Sequence, residues 1–110
     1  MLHVLLDVVS HADRFPGRHV LFLPENERWG PQTCAQVHPV DQLDANDKHP
    51  DAAAERLAYA LSIEAVQDIR ANLLGQVAEP SPDLWIAAFL HFYDHDAFLD
   101  VGVSRGLREG

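Results

Sequence analysis

The chain has 110 residues, 47% of them hydrophobic, and sets 17 Asp and Glu against 8 Lys and Arg for a formal charge of -9 with its seven His neutral. That is enough for one domain with one main core, and too apolar for a disordered acidic tail. The charge argues against an electrostatic binder of nucleic acid or anionic membrane, both polyanions, and makes a basic partner the simpler expectation.

Leu2, Leu5, Leu6, Val9 and Ala12 recur at spacings of three and four, which predicts a helix ending near Arg14, ahead of the Pro16-Gly17 stop. The same opening run has no Lys or Arg before it and meets Asp7 within its first seven residues, so it does not read as an export signal. No stretch reaches membrane-spanning length. The run 19–23 closes at Pro24, and the run 33–38, after a Trp29-Gly30-Pro31 turn, closes at Pro39; both are β-rich and are expected to pair as strands. Cys34 has no cysteine to pair with, which suits a reducing cytoplasm. With no His, Arg or Lys within three residues it is expected to be a small buried hydrophobe.

Residues 40–50 hold Asp41, Asp44, Asn46 and Asp47 with little apolar content, the composition of a solvated loop. Residues 56–61 fit either a third strand or a helix end, since their period does not decide. Ser62 has the chemistry of an N-cap, Glu64 follows in the first turn, and Ile63, Val66, Ile69 and Leu73 form a helical stripe that should end at Gly75. Ser81, Pro82 and Asp83 open another helix, expected to run to about Tyr93. A turn at 94–96, a short strand at 97–99 and a flexible tail over 102–110 complete the expectation. The whole is an α+β fold: a single compact domain over residues 1–101, with about three helices packed on a small, mainly antiparallel sheet.

Catalytic patterns are sparse. Ser10-His11 and Ser62 lack a nucleophile elbow, and the six Gly never form a phosphate-cradling loop, so neither a nucleophilic enzyme nor a nucleotide enzyme is expected. His91 and His95 stand four apart, a spacing that can hold a divalent metal on one helix face, with Asp94 and Asp96 as further ligands. A small metal-binding protein or metal-dependent hydrolase is therefore the alternative function. The plainer reading is that Asp94 and Asp96 order a turn through bonds to backbone N–H groups, with no metal and no cofactor. His3, His11, His19, His38 and His49 share no spacing and carry no site expectation. Trp85 falls on a helical stripe and should pack in the core. Trp29 sits in a turn, where it is either an interface anchor or a cap on the core.

The acidity is uneven. Residues 1–40 hold four acidic and three basic side chains, whereas residues 41–100 hold twelve and three. Asp41, Asp44, Asp47 and Asp51 form one group, and Asp94, Asp96 and Asp100 another.

The stretch Ser62-Ile63-x-x-Val66-Gln67-Asp68-Ile69-x-x-Asn72-Leu73-x-x-Gln76, followed by Tyr93-Asp94-x-Asp96-Ala97-Phe98, resembles a family of small bacterial proteins of unassigned biochemistry. Some of its relatives look like immunity proteins of contact-dependent growth inhibition systems. The resemblance covers about residues 57–100. It implies a cytoplasmic, non-enzymatic protein that binds and neutralises a toxin domain, with no direct contact to nucleic acid or membrane. A nuclease toxin carries a basic surface for its substrate, so carboxylates are the natural groups to oppose it. The residues expected to face such a partner are Asp41, Asp44, Asp47, Asp94, Asp96 and Asp100, with Tyr93 and Trp29 as anchors.

Overall fold

A computed structural model describes residues 2–101. Four antiparallel strands form the sheet: β1 (His3–Val4), β2 (His19–Pro24), β3 (Cys34–Pro39) and β4 (Leu57–Ser62), in the spatial order β1-β3-β2-β4. The helices are α1 (Leu5–Ser10), α2 (Pro50–Ala54), α3 (Ile63–Gln76) and α4 (Pro82–His95). The fold is α+β, with α1, α3 and α4 packed together over one face of the sheet.

β2 explains the layering. Val20, Leu21, Phe22 and Leu23 are all buried, so the strand is covered on both faces and reads as a continuous apolar run. Leu21 and Leu23 join the main core with Leu5, Val8, Val9, Ile63, Val66, Ile69, Leu73 and Phe89. Val20 and Phe22 join a second, smaller core with Ala52 of α2 and Leu57, against which Leu43 packs. The segment from Leu43 to α2 therefore forms a third layer on the far face.

The strand register holds this division through one irregularity. Leu21 opposes Leu61 and Phe22 opposes Tyr59, which leaves Ala60 as the extra residue of a bulge. Ala60 and Leu61 consequently both reach the main core. The bulge also shows why period alone could not assign residues 56–61: the strand breaks its own alternation.

The first predicted helix is shorter than its stripe suggests. β1 pairs His3 with Ala35 and Val4 with Cys34 before the chain turns helical at Leu5. The N–H groups of Leu5 and Leu6 donate to the carbonyls of Thr33 (2.8 Å) and Pro31 (3.1 Å), so the segment before β3 satisfies amides that a helix start leaves open. Leu2 lies ahead of the helix and is 55% exposed, while Val8 takes its place among the buried residues. A single 3₁₀ turn over Ala12–Arg14 completes the run.

The two later helices follow their caps. Ser62 Oγ accepts the N–H of Ala65 (3.2 Å), and Ser81 Oγ accepts that of Leu84 (3.1 Å). α3 continues to Gln76, so Gly75 lies inside it. α4 continues to His95 and is closed by Asp96 in the left-handed conformation (φ 53°, ψ 38°), whose N–H donates to the Phe92 carbonyl at 2.7 Å.

The short strand expected at 97–99 does not form. Gln76 holds that segment instead: its Nε2 donates to the Leu99 carbonyl and its Oε1 accepts the Val101 N–H, both at 2.8 Å. These side-chain bonds occupy backbone groups that a strand would need. The tail expected over 102–110 lies outside the described residues.

Candidate partner-binding surface

α4 carries its apolar stripe, Trp85, Ile86, Ala88 and Phe89, into the core, which leaves its last turn at the margin of the fold. There Tyr93 is 43% exposed, and Asp94, His95 and Asp96 are exposed beside it. Phe98, equally exposed, lies 5.3 Å from the Phe92 ring. Asp100 is exposed further along.

The structure brings Trp29 to the same place. Its ring centroid lies 4.8 Å from that of Tyr93, with the planes at 73°, and 6.1 Å from Phe89. Phe89 and Tyr93 stack one helical turn apart at 6.5 Å. The indole Nε1–H donates to the Pro24 carbonyl (2.7 Å), so Trp29 is half-buried with its polar edge bonded and packs against the core rather than projecting from a turn.

Leu23, Glu25, Trp29, Ala58, Tyr59 and Tyr93 line a shallow open depression of about 240 Å³ at this margin. Tyr59, 44% exposed, is steadied by an edge-on contact with Phe22 at 6.3 Å.

Charge at the end of α4 is arranged against local stability. A helix C-terminus is the negative end of the macrodipole, and cations are favoured there. Asp94 and Asp96 occupy it, and His95 is the only basic side chain in the last turn. The one salt bridge among the described residues joins Arg70 to Asp13 (2.7 Å) and involves neither carboxylate.

The other acidic group lies elsewhere. Asp41, Asp44, Asp47 and Asp51 are exposed in or beside the segment that covers the far face, and Asp47 lines a groove that shares Glu25, Ala58 and Tyr59 with the depression beside Tyr93. Asp44 shapes its own loop, since its Oδ1 accepts the N–H groups of Lys48 (3.0 Å) and Asn46 (2.8 Å). The Lys48 bond, then the Asn46 bond, hold its carboxyl below the ordinary aspartate value. Asp47 completes the turn with φ at 59°. The sequence offered the two groups as equals; Asp94 and Asp96 flank Tyr93 at the end of α4, whereas Asp47 approaches that margin only through the groove beside Tyr59.

His91 and His95 do face each other, with ring centroids 4.7 Å apart. No group of three His, Cys, Asp or Glu able to hold a metal ion occurs among the described residues. Cys34 departs from expectation: it is exposed, because strand alternation gives the core position to Ala35. Cys34 instead lines a surface groove with Leu2, Glu25 and Arg56.

A polar feature that sequence reasoning missed is buried on the far face. His38 and His49 stack with centroids 3.6 Å apart and planes within 7°. His38 donates from Nε2 to Gln36 Oε1 (2.7 Å), and His49 Nδ1 accepts the Asp51 N–H (3.1 Å) as the cap of α2 while its Nε2 donates to Gln42 Oε1 (3.2 Å). The only sequence signal was Gln36 and His38 two apart on one strand face; nothing local pointed to His49.

A family model described as Domain of unknown function (DUF7716) matches residues 2–101. The chain belongs to the DUF7716 family. The DUF7716 match spans every element of the sheet and all four helices, and with them the aromatic and acidic margin at the end of α4. No curated protein and no solved structure matches the chain. Among the described residues, no helix is long and apolar enough to cross a membrane.

Proposed function

We propose that this DUF7716 protein is an immunity protein, which binds a basic nuclease toxin domain and neutralises it through the surface formed by Tyr93, Asp94, Asp96 and Asp100. The single observation that carries the reading is the pairing of two carboxylates at the negative end of α4 with exposed aromatic rings beside them. Selection for stability alone would put a Gly at the left-handed position of Asp96 and a cation in the last turn. A partner bearing Lys and Arg supplies the missing charge, and exposed Tyr93 supplies contact area of the kind that anchors interfaces. The resemblance of residues 57–100 to immunity proteins and the overall charge of -9 point the same way. The protein then acts without catalysis, by occupying the toxin surface that its polyanionic substrate would use. The Asp41, Asp44 and Asp47 group would contribute only to the long-range field.

The test starts from purification of the native protein together with whatever it holds, followed by association kinetics against the recovered toxin domain. Recovery of a basic domain with nuclease activity, in a one-to-one complex that blocks that activity, is the expected result. Double charge reversal at Asp94 and Asp96 (D94K/D96K) should slow association by about tenfold and flatten its salt dependence. Asp96→Gly controls for folding: it should raise the melting temperature by relieving the left-handed backbone and the helix-end charge, yet still slow association. A partner of acidic charge, or one whose association rate ignores both variants, removes the reading.

A further inference from the structure

The sheet ends on β4, and that edge is open. Apart from the ladder to β2, no residue from Leu57 to Leu61 makes a hydrogen bond among the described residues. A strand directs alternate N–H and C=O groups away from its one neighbour, so β4 presents a row of them outward. Edges of this kind are commonly blunted by charge, by Pro or by brevity. β1, the opposite edge, has two residues, whereas β4 has six, Leu-Ala-Tyr-Ala-Leu-Ser, with no Lys, Asp, Glu or Pro. The bulge at Ala60 leaves Leu57, Ala58 and Tyr59 as its regular part, paired in unbroken register with Pro24, Leu23 and Phe22. The same short stretch lies between two depressions. On the helical face is the shallow one beside Tyr93, and on the far face is a groove of about 650 Å³ that carries Asp47, Lys48 and Arg56; Glu25, Ala58 and Tyr59 line both. An added strand sends its side chains alternately to the two faces, so free backbone groups with a depression on either side are what such a strand requires.

We propose that the Leu57–Tyr59 edge of β4 receives an extended, positively charged segment of a partner protein, which adds to the four-stranded sheet as a further strand. The positive charge follows from Glu25. It is exposed, lines both depressions, and is the only charged residue lining the one on the helical face, whereas in the far-face groove Glu25 and Asp47 are balanced by Lys48 and Arg56. A second copy of this chain fits less well, since its own β4 has no Lys or Arg to meet Glu25 and it brings a net charge of -9 against another. Such a strand is the form in which the basic partner of the immunity reading would arrive, and only the identity of that partner rests on that reading.

The test uses the full chain, amide NMR shifts and three end-capped peptides. Lys-Val-Lys-Val-Lys-Val-Lys is the probe, and Glu-Val-Glu-Val-Glu-Val-Glu reverses its charge. The third is the Lys/Val peptide methylated at every internal amide nitrogen, which keeps charge and side chains but cannot donate to a strand. The Lys/Val peptide should give saturable shifts at the amides of Leu57, Ala58 and Tyr59. A dissociation constant on the order of millimolar suits a few backbone bonds and side-chain contacts. The methylated peptide and the Glu/Val peptide should each bind about tenfold more weakly. Glu25→Lys should weaken Lys/Val binding by roughly two- to fivefold, the scale of one exposed charge contact, and strengthen that of Glu/Val. Glu79→Lys, the same charge change at an exposed site between α3 and α4, should do neither. Absence of saturable shifts on β4, undiminished binding of the methylated peptide, or equal effects of the two Glu→Lys changes overturns the proposal. So does sedimentation of the chain alone as a dimer that the Lys/Val peptide cannot enter, which would give the edge to a second copy. No toxin enters these titrations, so their failure leaves the immunity reading in place. Strand addition by a protein from which no basic toxin domain is recovered removes the immunity reading alone.

Discussion

At the scale of single residues, His38 is the side chain whose chemistry the fold changes most visibly. Burial first, and then the like charge of neighbouring His49, press its imidazole below the ordinary histidine value; His19 adds to this, and Asp51 opposes it. Because the folded state disfavours the charged ring, the unfolded chain binds the proton more readily. The stability gained by keeping His38 neutral is complete above the ordinary value of 6.5 and is lost as pH falls through 6.5 towards the lower folded value. The urea midpoint of the native chain should therefore drop between pH 7.5 and pH 5.5, and His38→Gln should show a clearly smaller drop; an equal drop in both would place the sensitivity elsewhere. None of this was legible in the sequence. The two rings come from β3 and from the residue before α2, and stacking at 3.6 Å is set by how the loop between them returns across the sheet. Tyr93 and Trp29 illustrate the same limit, since 64 positions separate two rings that touch. Their residue types were informative, while their meeting was a property of the assembled layers.

At the scale of elements, legibility follows locality. The starts of α3 and α4 were readable because a cap acts within three residues: Ser62 reaches Ala65, and Ser81 reaches Leu84. Their ends were less so. α4 outruns Tyr93 because Asp96 accepts the left-handed conformation that closes the helix two residues later than the turn-forming Asp94-His95-Asp96 composition suggested. The strand expected at 97–99 failed for a reason that no local pattern carries, namely the side chain of Gln76 reaching across from α3. The strength of the local signal can be measured at Ser81. Pro82 already has no N–H to satisfy, so Ser81→Ala removes the oxygen that holds Leu84 and should cost about 1 kcal/mol. In a domain of this size that corresponds to a melting temperature lower by about 4–8 °C, readable by circular dichroism or calorimetry.

At the scale of the whole molecule, the sheet separates two bodies of unequal size, a main core under three helices and a small one under α2. The α+β class was legible because the apolar stripes and runs alternate along the chain; the third layer was not, since residues 40–49 look like ordinary solvated loop and only Leu43 and His49 betray a buried side. The main core depends on the opening of the chain. Leu5 is fully buried where β1 turns into α1, and α1 packs against both α3 and α4. Leu5→Ala should cost about 2–5 kcal/mol, a large share of the roughly 5–15 kcal/mol that holds a domain folded, and denaturant unfolding would reveal it as a lower midpoint with little change in slope.

The turn that follows α1 is held from a distance. Gln67 donates to the carbonyls of Ala12 (3.2 Å) and Phe15 (2.8 Å), and Arg70 donates from Nε to the Ser10 carbonyl (3.0 Å) while its guanidinium pairs with Asp13. Each partner on α3 enters the chain more than fifty residues after the groups it secures. During synthesis the first helix therefore emerges well before anything exists to receive it. Its apolar side stays open to solvent or to a chaperone until α3 and α4 have been made, and closure of the main core waits on the last quarter of the chain.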